Sequence, residues 1–175
     1  YLLIRKDVFA AQSKKIIYSA LPTHVGDLVV EETRSAYRIM SGFINGKLLD
    51  SLVIGIIALV CCNILSFPYP ALLATIIGVT NVIPFFGPFI GAIPCALLVF
   101  LDSPIKCLYF AIFILVLQQF DGNILGPKIL GDSTGLSSFW VLFSILFFGG
   151  LWGFVGMIVA VPLTAVVFDL FSKFQ

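Results

Sequence analysis

The sequence predicts an all-α fold: a multipass transmembrane helical domain with broken or re-entrant helices, preceded by an amphipathic helical segment. Three observations predict it. Charged residues make up 11% of the 175-residue chain and hydrophobic residues 60%, where an ordinary soluble domain has about 25% charged. From Ser51 to Leu101 there is neither a charged residue nor a histidine. Proline and glycine cut the apolar blocks where a simple span would continue. Disorder is excluded, because it needs low hydrophobicity. A soluble globule is disfavoured, since too little polar surface exists to cover what a chain of this size leaves exposed. A formal net charge of +1 gives no electrostatic reason to expect a nucleic-acid partner.

The first domain expected is 1–45, cytoplasmic or interfacial. Ile16, Ile17, Leu21, Val25 and Leu28 recur at helical spacing over residues 8–45, with Lys14, Lys15, Asp27 and Glu31 on other faces. Pro22 is expected to interrupt or kink that helix. Arg5 to Lys15 lacks the apolar core of a secretory leader, and a start at Tyr1 rather than Met is expected of a fragment. The many basic residues before the first span place this region on the cytoplasmic side by the positive-inside rule.

The second domain expected is 46–175, with spans or half-spans at about 47–65, 70–83, 88–101, 105–120, 136–148 and 151–171. Lys47 and Asp50 mark the point where the chain meets the bilayer, Asp50 as an interfacial charge. Pro68 and Pro70 end the first span, with Phe67 and Tyr69 suited to the headgroup level. Pro84, Gly87 and Pro88 then break a helix. Such a break is tolerated at depth only where backbone groups face protein or water. Two spans joined there, or a re-entrant pair facing a cavity, are both open. Gly87 and Gly91 are four apart and would allow close helix contact. The blocks 107–119 and 136–148 are each about 13 residues, near 20 Å, too short for a hydrocarbon core of roughly 30 Å. The last apolar run splits at Gly149, Gly150, Gly153 and Gly156, and Pro162 lies inside its final segment. Short, interrupted segments of this kind mark transporter pathways.

Chemistry is sparse. Gly149 to Gly153 lacks the lysine of a phosphate loop. His24 is the one histidine, too few for a triad or metal centre, and Ser137 and Ser138 have no visible base. Cys61, Cys62, Cys95 and Cys107 read as small packing residues without metal-ligand spacing. No enzyme, cofactor or metal site is expected. The candidate pathway-lining or coupling residues are Asn81, Gln118, Gln119, Asp121, Asn123 and Lys128, with Lys128 balancing Asp121. Whether 121–135 is an aqueous loop or folds back between helices stays open. In the second case its charges are costly and functional by default.

Three stretches resemble the AI-2E transporter family, also called the autoinducer-2 exporter or PerM-like permease family. Asn81 to Pro94 (NVIPFFGPFIGAIP) is similar to its asparagine, isoleucine-proline and glycine-proline segment. Gln118 to Gly135 (QQFDGNILGPKILGDSTG) is similar to its polar signature, and Gly149 to Pro162 (GGLWGFVGMIVAVP) to its glycine ladder. The family signature often has Glu at the position of Asp121 and His-Pro where this chain has Ser137 and Ser138. The resemblance implies a multipass protein of the bacterial inner membrane, further spans upstream of Tyr1, and a homo-oligomer. It implies transport of a small polar solute or signalling molecule, with H+ or Na+ as candidate coupling ions; some branches are linked to cation–proton exchange. The alternative function is a non-transporting membrane scaffold or oligomerisation module built on the glycine faces.

Overall fold

The computed structural model describes residue 19 and residues 22–84, 86–130 and 136–173. Ile16, Ile17, Leu21 and Asp132 lie outside the described residues, as does the side chain of His24. The described chain is helical throughout, in the order α1 (Thr23–Ile64), α2 (Pro70–Thr80), α3 (Gly87–Asp102), α4 (Pro104–Phe120), a π-helical turn (Asp121–Leu125), α5 (Gly126–Leu130) and α6 (Ser138–Lys173).

Helix α1 has 42 residues and so is about 63 Å long. Pro22 sits at its N-cap with ψ 146°, so the interruption expected at this proline is the start of the helix. The helix runs unbroken through the expected boundary at 45/46. Phe43, Lys47, Asp50, Ile54, Ala58 and Cys62 are all buried. Their spacing of three and four residues puts them on one face. That single stripe is the seam on which the rest of the chain packs.

Helices α2 and α3 form a hairpin of two short apolar helices. Pro70 starts α2, where a missing N–H costs nothing. Eleven residues carry the chain only about 16 Å inward. Pro84 and Pro88 then prevent continuation, and the chain turns back. The Ile83 N–H bonds Thr80 O at 3.0 Å and the Gly87 N–H bonds Ile83 O at 3.0 Å, so the turn satisfies its own backbone groups, as its depth requires. Glycine is needed at the turn: a β-carbon on Gly87 would run into the carbonyl of Thr80. The Gly55 and Gly78 backbones also approach closely where α2 crosses α1; a β-carbon on Gly78 would lie 3.0 Å from the Gly55 Cα.

Helix α4 continues through the π turn into α5. The Gly126 N–H bonds the Asp121 carbonyl, one residue further back than in an α-helix. Pro127 has no N–H to offer the next carbonyl, which favours the wider turn. The stretch from Asp121 to Leu130 is therefore helical rather than an aqueous loop; residues 131–135 lie outside the described residues.

Three described helices are apolar and long enough to cross a membrane: Val25–Ile64, Pro104–Leu125 and Phe139–Phe171. The third is not one straight span. Gly153 has φ 60° and ψ −139°, a conformation reserved in practice for glycine. Thr164 donates to the Ser144 hydroxyl across 20 residues at 2.6 Å. These groups would be about 30 Å apart along a straight helix, so 138–152 and 154–173 are the two limbs of a second hairpin. Gly156 passes against the Phe148 carbonyl and Gly149 against Met157.

Two apolar cores result. One joins Ile54, Ala58 and Cys62 of α1 to Leu73, Ile77, Cys95 and Phe110, and Phe67 meets Phe110 edge-on at 5.5 Å. The other joins Phe43 to Ile145, Ala160 and Val161, with Phe86 packed against it. Ser35 donates to Asp169 at 2.9 Å, which fixes the register of the second hairpin along α1. The two hairpins thus lie end to end along one stripe and enter from opposite ends.

Close backbone contact predicts the cost of adding a methyl group. Gly87→Ala and Gly156→Ala in the full-length protein should each lower stability by about 1–3 kcal/mol through overpacking. Gly42→Ala, where a β-carbon meets nothing, should stay within about 0.5 kcal/mol. Thermal unfolding in detergent checks this; a Gly156→Ala protein melting with its parent would contradict the limb packing.

Candidate functional site

Between the two cores the α1 stripe turns from apolar to charged. Lys47 and Asp50 lie one helical turn apart, and the Lys47 ammonium donates to Asp50 Oδ2 at 2.5 Å. Asp50 is 0% exposed and Lys47 8%. Asn81, at the tip of the first hairpin and 1% exposed, donates its amide to the same oxygen at 3.2 Å. The fourth member is Asp121, at the first residue of the π turn. It is 8% exposed, shares a cavity wall with Lys47 and Asn81, and lies within hydrogen-bond reach of Asp50 and Asn81. Three separate elements thus converge on one polar cluster.

Its depth follows from α1. Arg38 lies about 18 Å from Asp50 along the helix on one side, and Ile64 lies about 21 Å away on the other. Between Ile39 and Ile64 the only charged residues are Lys47 and Asp50. The cluster therefore sits near the middle of the apolar length, where an uncompensated charge costs several kcal/mol.

Both carboxyls remain incompletely paired. Asp50 Oδ1 and Asp121 Oδ1 are buried and accept from no N–H or O–H donor, but the two carboxyls lie within hydrogen-bond reach of each other, so a shared proton can join them. Two carboxyls face one ammonium, so with both acids ionised the cluster carries one net negative charge. It can accept a proton, a cation or a hydrogen-bond donor, and that net charge disfavours an anion. A cavity of about 340 Å³ adjoins it, lined by Lys47, Asn81, Gln118 and Asp121 together with apolar residues such as Phe89, Ala92 and Ile114. A second groove of about 380 Å³, between α1 and α2, is lined by Leu52, Gly55, Ile56, Thr75 and Gly78 and by no charged group.

Of the six residues expected from sequence, Asn81, Gln118 and Asp121 come together. Gln119 and Asn123 do not: both are exposed, and the Asn123 amide bonds the Gln119 carbonyl and side chain at 2.8 Å each. Lys128 is exposed, and Lys47 takes the place facing Asp121 that was expected of Lys128. Lys47 and Asp50 were read as marking a bilayer boundary. Their i, i+3 spacing in phase with Phe43, Ile54 and Ala58 is the signal that would have put them on the buried face. Gly87 and Gly91 close the first hairpin and Gly149 and Gly156 the second, Gly153 breaks the last helix at its positive φ, and Pro162 is fully buried. Among the described residues no group of three or more His, Cys, Asp or Glu is arranged to hold a metal ion.

Comparison with known proteins agrees with this architecture. The profile of the AI-2E family transporter matches residues 2–174, nearly the whole chain. The chain belongs to the AI-2E transporter family. It is 44% identical over 128 residues to YrrI of Bacillus subtilis strain 168, covering 73% of this chain and 36% of that protein. It is 35% identical over 128 residues to YueF of the same strain, covering 73% of this chain and 35% of that protein. Both are named as candidate transport proteins. It is also 33% identical over 131 residues to PerM of Escherichia coli K12, named as a candidate permease, covering 73% of this chain and 37% of that protein. The chain spans little more than a third of the length of these curated relatives. Family and apolar helices together make this AI-2E chain part of a multipass integral membrane protein.

The ion pair at the centre of this AI-2E domain predicts an asymmetry. Lys47→Met leaves Asp50 and Asp121 buried without a cation and should destabilise the full-length protein by about 3–5 kcal/mol. The double change Lys47→Met with Asp50→Leu should recover part of that loss, the remainder being Asp121, still buried without a cation. Detergent melting of the single and double variants checks it; equal melting of Lys47→Met and parent would show that the pair is not a buried one.

Proposed function

We propose that this chain supplies the solute-binding part of a permease for a small polar solute, and that a proton or sodium ion bound at Asp50 and Asp121 is the coupled species. One observation carries the reading: a mid-depth cluster of two carboxyls and one ammonium, with two carboxylate oxygens that accept from no N–H or O–H donor and a cavity beside it. A purely structural ion pair would be expected to satisfy its acceptors, because each buried unsatisfied group costs about 1–3 kcal/mol. A site that binds and releases a ligand keeps acceptors free in one of its states. Hairpins broken at depth fit the same reading, since irregular backbone at that level lines cavities. In these roles Asn81 orients Asp50, Gln118 lines the cavity, and Lys47 holds the resting charge balance. The domain has no catalytic role in this reading, and assembly into a homo-oligomer through its lipid-facing surface is compatible with it.

The test is flux through the full-length protein in liposomes. Probes are radiolabelled neutral polyols and amino acids, sodium-22, and an internal pH dye. Asp121→Asn should reduce flux of the transported probe by at least about tenfold, equivalent to about 1.4 kcal/mol on the barrier, with insertion and oligomeric state unchanged. Gln119→Ala and Asn123→Ala, which face away from the cluster, should leave flux near the parent rate. Parent-level flux in Asp121→Asn would overturn the site assignment.

A further inference from the structure

Asp50 and Asp121 come from elements far apart in the chain, α1 and the π turn. The fold brings their carboxyls within hydrogen-bond reach of each other, and both residues are more than nine-tenths buried. The groups around them have defined parts. The Lys47 ammonium and the Asn81 amide both donate to Asp50 Oδ2, and the same amide reaches Asp121. Gln118 shares the cavity wall with Lys47, Asn81 and Asp121. The other elements bring no charge to this level. From Ser51 to Leu101 and from Ser133 to Phe168 the sequence has no charged residue. Asp169 is held at Ser35, about 22 Å along α1 from Asp50, and Lys128 of α5 is exposed.

Two carboxylates this close, buried at mid-depth, cannot both stay ionised. Each also has an oxygen that accepts from no N–H or O–H donor among the described residues. A single proton answers both facts. It forms an O–H bond on one carboxyl, and that O–H donates to the other. The one net negative charge of the cluster is cancelled: Lys47 stays positive, and one negative charge is spread over the two acids. A sodium ion fits the same place poorly. A hard cation needs a shell of oxygen ligands. Here an ammonium and an amide N–H already point at Asp50 Oδ2. A cation would have to displace those donors, and the ammonium would repel it. An O–H···O bond between an acid and a carboxylate needs no further ligand.

We propose that Asp50 and Asp121 form a one-proton site, with a single proton held between the two carboxyls, and that this proton, not sodium, is the ion the cluster binds. Its purpose rests on the permease reading; the site itself rests on the geometry of the cluster. The proton also ties α1 to the π turn. Its release leaves two like charges across that contact and frees Asp121 to accept from a hydrogen-bond donor in the adjoining cavity. The proton and such a donor therefore compete for the same carboxyl.

The experiment reads the proton directly. Full-length protein in lipid nanodiscs is measured by infrared spectroscopy at a pH of about 7, where an ordinary aspartate, with a pKa of about 3.9, is almost wholly ionised. The parent minus Asp121→Asn difference should contain a protonated-carboxyl C=O band that shifts in heavy water. The parent minus Asp50→Asn difference should contain the same band, because Lys47 then pairs with Asp121 alone. No band in either difference would overturn the site, and a band in only one would put the proton on a single acid and overturn the sharing. If Asp50→Asn does not fold, Asp121→Glu takes its place: the band should return at a shifted frequency, and its absence would overturn the site. Replacing choline chloride by sodium chloride should leave the parent band unchanged; a band bleached by sodium would overturn the choice of proton over sodium. None of these spectra needs transport. The band in a protein that moves none of the probes would support the proton site and count against the permease reading. Flux of a probe without the band would support the permease reading and overturn the proton site.

Discussion

The Lys47–Asp50 ion pair constrains everything around it. A lysine and an aspartate in the middle of a long apolar helix cannot face lipid, and they cannot reach water at either end of that helix. They must be covered by protein, and the cover must bring hydrogen bonds with it. Asn81 is that cover from one side and Asp121 from another. The first hairpin therefore has to stop at the level of Asp50, and an eleven-residue α2 does so. A helix that crossed the whole bilayer would carry Asn81 to the same level but could not turn its tip into the cluster. The polar cluster sets the length of the hairpin, and Pro84 and Pro88 enforce it.

The same constraint explains why the second hairpin is built from glycine instead of polar residues. It packs on the apolar part of the stripe, at Phe43, where no side-chain hydrogen bond is called for. Its limbs close on each other through small residues, with Gly149 against Met157 and Gly156 against Phe148. In hydrocarbon, helices gain little from hydrophobic burial and associate through close van der Waals fit. Glycine supplies that fit. The Ser144–Thr164 hydrogen bond adds a polar fastening between the limbs, away from the tip.

The architecture was readable where the governing chemistry is local. Proline removes an N–H wherever it falls, so the break at Pro84 to Pro88 could be read directly. The glycine run at 149–156 could likewise be read as a split, and Asn81 and Asp121 could be singled out as polar groups beside broken helices. What was not readable depends on phase and on partners distant in sequence. Lys47 and Asp50 stand where hydropathy first rises, which is also what a bilayer boundary looks like. Only the continuation of α1 upstream, with Phe43 in phase, moves them to the middle of the apolar length. Gln119 and Asn123 share the polar stretch with Asp121, but the helix turns them to its far side, where they bond each other. Lys128 could be paired with Asp121 by proximity in sequence; the ammonium that faces Asp121 comes from a helix 74 positions earlier.

Charge balance links this geometry to function. With one ammonium for two carboxyls, the cluster cannot be neutral unless something else enters it. Each candidate for that role, a proton, a small cation or a solute with hydrogen-bond donors, has to cross about 20 Å of apolar surroundings on either side. A permanently open path would let the bilayer leak. A site with spare acceptors at mid-depth therefore calls for a barrier that opens without disturbing the cluster. Of the two elements beside it, the first hairpin is bonded to the cluster through Asn81, and the second packs on the apolar part of the stripe at Phe43.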